Sequence, residues 1–259
     1  MTLLSAPRVS WRPLSLVIAS AVALAAFAWP LVGMALPTDA QTALPYIVLG
    51  LVPALIVTVS LVLDKSVSSS KTLALLGVLA AIGTVVRIAS TGIGGFEAVF
   101  IVFILAGRAF GARFGFLLGM LTIALSSVLW GGFGPWTAFQ MFAAGWVGAG
   151  AGLLPGRKTP PSSATQARKE VLLLIAYGVV ASYGFGLVMN LWFWPFAVGP
   201  DTNLSYAPGS GLVENLRRFG LYTLITSTVS WDTIRAVTTA VGLALIGRPV
   251  LAALRRAKI

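Results

Sequence analysis

Eight apolar runs separated by short polar or turn-rich connections dominate the 259-residue chain, at roughly 14–36, 44–63, 72–90, 96–107, 113–130, 137–154, 170–189 and 219–248. A helix needs about 20 largely apolar residues to cross a bilayer's hydrocarbon core. The pattern therefore predicts an all-α polytopic membrane protein with about eight transmembrane helices. The fourth run is short for a full span, which predicts a tilted helix or one partly covered by protein. The first run follows Arg8 and Arg12 as a signal peptide would. It exceeds the usual apolar core of about 7–15 residues, so it is expected to remain as a membrane helix.

Charge orders these runs in the membrane. Charged residues make up only 10% of the chain and hydrophobic ones 58%, against about 25% charge in soluble domains. Of the 18 basic residues, Arg8, Arg12, Lys65, Lys71, Arg108, Arg113, Arg157, Lys158, Arg168, Lys169, Arg248, Arg255, Arg256 and Lys258 all fall on alternate connections. The opposite connections carry Asp39, Glu97, Asp201 and Glu214. The positive-inside rule then predicts both termini in the cytoplasm. It also assigns the net charge of +11 to topology and contacts with membrane lipid, with no nucleic-acid partner. Pro155–Ala167 reads as a flexible cytoplasmic linker between six runs and two. Leu191–Arg218 reads as a long outer loop folded on the bundle as a cap.

Chemistry is narrowed by what is missing. There is no cysteine and no histidine, which removes thiolate metal sites, the commonest general base and the Ser-His and Cys-His nucleophile pairs. Gly152-Leu153-Leu154-Pro155-Gly156-Arg157-Lys158-Thr159 imitates a phosphate-binding loop, but its spacing is three where four is required and an arginine intervenes. No catalytic residue, metal ligand or cofactor is assigned. Ionisable residues at depth mark functional candidates: Arg87, Glu97, Asp232 and Arg235. Asp232 reads either as a helix N-cap with Arg235 snorkelling to the interface or as part of an outward-facing pocket.

Aromatic residues concentrate at the outer connections. Trp130, Phe133 and Trp136 lie around the hairpin Trp130–Gln140, Trp192 stands in the later outer loop, and Trp231 adjoins Asp232. An interfacial belt is one reading. The other is a small-molecule pocket, whose apolar walls need a few convergent polar groups, here Thr137, Gln140, Asn190 and Asp232. Small residues spaced four apart (Gly77 and Ala81; Gly145 and Ala149; Gly148 and Gly152) allow close helix packing.

From about Thr72 onward the chain resembles the substrate-binding S components of energy-coupling factor (ECF) vitamin transporters, nearest to the cobalamin-associated group. The resemblance rests on Ile104-Leu105-Ala106-Gly107-Arg108-Ala109-Phe110-Gly111 with Gly115-Phe116-Leu117-Leu118-Gly119, and on Gly132-Phe133-Gly134-Pro135-Trp136-Thr137 with Gln140-Met141. Gly145-Trp146-Val147-Gly148, Met189-Asn190-Leu191-Trp192, Trp231-Asp232 and Gly247-Arg248-Pro249 complete it, in that order. It implies a six-helix substrate-binding core over 72–259 preceded by a two-helix extension over 1–66. It further implies a bacterial plasma-membrane subunit that is not an enzyme. Such a subunit captures a vitamin at the outer face and tilts to release it inward, with an ECF transmembrane scaffold and two ABC ATPases as partners. Gly77 and Ala81 approximate the motif that faces the scaffold. Relatives often have Asp where this chain has Asn190.

Two other classes fit less well. A self-sufficient secondary transporter or channel would usually show paired half-repeats and broken mid-membrane helices. A membrane enzyme acting on lipid would want an acidic metal cluster or a nucleophile-base pair, and the seven acids are scattered.

Overall fold

The computed structural model describes residues 11–33, 36, 38–64, 69–90, 94–156, 161–200 and 202–257. Every apolar run is helical: α1 (Trp11–Phe27), α2 (Trp29–Gly33), α3 (Thr38–Asp64), α4 (Ser70–Ser90), α5 (Val99–Phe110), α6 (Ala112–Trp130), α7 (Pro135–Leu153) and α8 (Ala164–Ala197). The last run lies in a continuous helical rod: α9 (Leu212–Thr223), a π-helical stretch (Leu224–Asp232) and α10 (Thr233–Arg256). Among the described residues, Ser70–Ser90, Ala112–Trp130, Ala164–Ala197 and Leu212–Arg256 are long and apolar enough to cross a membrane.

The short fourth run is resolved by burial. At ~1.5 Å rise per residue, the 12 residues of α5 cover about 18 Å, well short of a bilayer core of ~30 Å. Nine of the 12, including Phe100, Phe103, Ile104 and Leu105, are buried. α5 is the bundle's central rod, enclosed by α4, α6, α7, α8 and α10. The expected separation into six runs and two does not hold, because α8 and α10 pack on α5 itself. Of the Pro155–Ala167 linker, 157–160 lie outside the described residues, and its last five residues already belong to α8 or cap it. Ser163 accepts the Gln166 amide there.

Helices α6 and α7 pack backbone against backbone. A Cβ added at Gly115 would fall on the Gly148 carbonyl, one at Gly148 on the Gly115 carbonyl, and one at Gly119 on the Ala144 carbonyl. The small-residue stripes of these helices thus serve packing within the chain. Gly77 differs: among the described residues, no atom of another element lies within 4 Å of its added Cβ, and Val78, Ile82 and Val85 on the same helix are exposed.

The 191–218 connection is shorter than the sequence pattern implies. α8 extends to Ala197, which puts Asn190, Trp192 and Trp194 on a helix, and α9 starts at Leu212. The intervening segment is tied down as a cap. Trp194, fully buried, donates its indole N–H to the Leu204 carbonyl (2.6 Å). Asn215 holds Ala207 by its N–H and its carbonyl (both 3.0 Å).

Candidate functional site

Helix direction brings the ionisable candidates to one end of the bundle. α4 and α6 run parallel, with Thr84 beside Thr122 and Arg87 beside Ser126. α10 runs antiparallel to α8, so that Asp232 lies against Gly186 and Arg255 against Glu170. The ends near Ser90, Val99, Trp130, Ala197 and Asp232 therefore share one side. Arg108, Arg113, Lys169 and Arg255 share the other.

Arg235 anchors the site. Its side chain is 6% exposed and donates from Nη1 to Asp232 Oδ1 (2.7 Å) and to the Ser182 carbonyl (3.2 Å), and from Nε to Glu97. The guanidinium also sits over the Phe185 and Phe100 rings, 5.0 and 5.5 Å from their centroids, where aromatic faces favour a cation. Ser227, on the π-helical stretch, donates to Asp232 Oδ2 (2.9 Å). Gly186 leaves the room the carboxylate occupies, since a Cβ there would collide with it. π-helical turns recur at functional sites because the wider register re-aims side chains. Here Thr233 Oγ1 reaches back five residues to the Thr228 carbonyl (2.7 Å).

A second polar group is built on Arg87, which donates to Ser126 Oγ (2.8 Å) and Gln140 Oε1 (3.1 Å). Arg87 and Arg235 with Glu97 and Asp232 make two positive and two negative charges at this end of the bundle. Asp232 does not act as a side-chain cap, and Arg235 is buried rather than reaching for the interface.

The nine expected pocket residues divide. Asp232 and Gln140 enter the polar cluster. Asn190, one helical turn beyond Gly186 on the same face of α8, has a buried amide nitrogen with no hydrogen-bond partner among the described residues. Trp192 is buried and stacks on Phe139 (4.1 Å, 5° between planes), and its indole N–H also lacks a partner. Thr137 is buried in a helix start: its hydroxyl accepts the Gly134 N–H (2.9 Å), next to Pro135 at the first helical position. Trp130, Phe133, Trp136 and Trp231 are exposed, whereas Asp232 beside Trp231 is buried. The structure does not bring these four to the polar cluster. Sequence reasoning missed Ser126, Ser182, Gly186 and Ser227, small residues with no signal until their helices are placed side by side.

The N-terminal helices pack beside this region. Phe27 lies edge-on to Phe139 (5.0 Å) and near Trp146 (5.2 Å). Trp29 donates to the Trp192 carbonyl (3.0 Å), and Tyr206 of the cap donates to the Pro30 carbonyl (3.2 Å).

No curated protein and no solved structure matches the chain. The family described as ECF transporter, substrate-specific component, matches residues 71–247, more than half of the chain. With an all-helical membrane bundle of this length and a buried polar cluster in its interior, the chain belongs to the substrate-specific components of ECF transporters.

Proposed function

We propose that this substrate-binding subunit captures a vitamin or related micronutrient at the end of the bundle carrying Arg87, Gln140, Asn190, Asp232 and Arg235. It then delivers its cargo inward by tilting in the membrane, driven by partner ATPases through a transmembrane scaffold. The observation that carries the reading is the pair of buried, unpartnered donors, Asn190 Nδ2 and Trp192 Nε1, on a helix that also walls the ionic cluster. A buried donor left unpaired costs about 1–3 kcal/mol, a cost that a bound acceptor removes. Cobalamin, named from the family resemblance, is the first candidate, and a stacked aromatic wall equally suits other flat ring systems. In the same proposal 72–259 forms the core and 1–66 the extension. Both termini are cytoplasmic, and Gly77 and Ala81 on the open face of α4 meet the scaffold.

The test is ligand-dependent thermal stability of the purified chain in detergent, against a vitamin panel. A ligand at 100 times its dissociation constant adds about 2.7 kcal/mol. One vitamin is expected to raise the unfolding midpoint, and Asn190→Leu to abolish that response without lowering the ligand-free midpoint. A folded sample that responds to no vitamin would sink the reading. Uptake by the chain alone in ATPase-free vesicles would instead establish a secondary transporter.

A further inference from the structure

We infer that the opposite, basic end of the bundle binds a phosphate-bearing anion, and that its occupant is the headgroup of an anionic phospholipid. Glu170 at the start of α8 is 8% exposed and lies between two guanidinium groups. Arg108 Nε donates to its Oε1 (2.6 Å), while Arg255 donates from Nη2 to Oε1 (2.7 Å) and from Nη1 to Oε2 (3.0 Å). Arg108 Nη1 also ties down the Leu154 and Pro155 carbonyls (2.9 Å each). The one carboxylate is thus fully used, and a positive charge is left over.

Two cavities flank Glu170. One, of about 460 Å³, lies between α8 and α10 and has Arg248 and Arg255 in its wall; the other, of about 320 Å³, has Arg108 and Lys169. Among the described residues, four cations line the two cavities together against one carboxylate, an excess of three positive charges. Arg248 and Arg255 are seven residues apart, two turns on one helix face. Arg248 makes no ion pair or hydrogen bond among the described residues, and Arg255 keeps its Nε–H unspent on Glu170. Two such donors converging on a cavity select a multi-oxygen anion, for which arginine forks are suited.

The rest of the wall chooses the source. Val171, Pro249 and Leu251 line the larger cavity with apolar surface, which a five-atom inorganic phosphate would leave uncovered. Leu172, next to Val171, and Leu245 and Ile246, just before Arg248, are exposed apolar residues on the same helices. The cavity therefore opens where an apolar, lipid-facing surface gives way to charge, the level of a phospholipid headgroup.

The experiment is native mass spectrometry of the full chain, delipidated in detergent. It is titrated with phosphatidylglycerol, with phosphatidylcholine of the same acyl chains, and with inorganic phosphate. Phosphatidylglycerol is expected to be retained one to one in preference to phosphatidylcholine. Arg248→Gln should weaken that retention about tenfold, the loss of one charge-assisted contact. Arg113→Gln, a charge at the same end that does not line the cavity, should leave it unchanged. Equal retention of the two lipids, or equal losses in both variants, would reduce the site to a general basic surface and overturn the proposal. Inorganic phosphate displacing phosphatidylglycerol and binding as tightly would overturn the lipid as occupant. A ligand-free unfolding midpoint matching the parent chain shows that Arg248→Gln is folded.

Discussion

Arg235 illustrates how much a single side chain holds together. It neutralises Asp232, reaches Glu97 from the opposite side of the core and satisfies the Ser182 carbonyl. Removing one partner from a buried pair leaves an uncompensated charge, which costs about 3–5 kcal/mol. Arg235→Met is expected to lose that much in denaturant unfolding of the detergent-solubilised chain. Ser227→Ala, which removes one hydrogen bond to a carboxylate, should lose about 1.5–3 kcal/mol. A loss below about 1 kcal/mol for Arg235→Met would mean that water reaches Asp232 and that the cluster is not a closed interior site. The charges were legible one by one, since each stands out in an apolar run. Their pairing was not: Glu97 and Arg235 are 138 positions apart, and the contact depends on how α5 and α10 cross.

Among the elements, two helices with similar small-residue spacing do different work. On α7, Gly148 meets the Gly115 backbone; on α4, a Cβ at Gly77 would meet nothing among the described residues. Gly148→Ala pushes a methyl group into a carbonyl that belongs to helix backbone and cannot rotate away. It is expected to destabilise by at least about 1–3 kcal/mol, the usual range for overpacking. Gly77→Ala should stay within about 0.5 kcal/mol of the parent. Under the proposed function, Gly77→Leu with Ala81→Leu should preserve folding and ligand response but lose co-purification with the scaffold and ATPases. Retained co-purification would move the scaffold contact off this face. Spacing alone exposes close-packing stripes in both helices and is silent on what each faces, because that depends on neighbours distant in sequence. The hairpin of Trp130, Phe133 and Trp136 shows a related dependence. Its glycines and proline serve the αL end of α6 at Gly131 (φ 72°) and the start of α7, and the three rings are exposed.

At the scale of the whole molecule, the question is what α1–α3 contribute. The runs themselves were plain in the sequence, but no residue in them announced a purpose. In the structure Phe27, fully buried, fills a space between Phe139 and Trp146, while Trp29 and Pro30 bond to α8 and to the cap. Trp146 donates its indole N–H to Ser20 (3.0 Å). These contacts join α7, α8 and the cap loop at the end where the ligand is proposed to enter. The extension is therefore expected to support the site's walls. Phe27→Ala should cost about 3–5 kcal/mol, as buried aromatic truncations do, and lower the ligand-free unfolding midpoint. The vitamin that stabilises the parent chain should still stabilise this variant by a comparable increment, because ligand linkage depends on affinity and concentration rather than on the starting stability. A variant that stays folded yet loses the increment would place α1 within the binding site, and would make the first helices part of substrate recognition rather than its support.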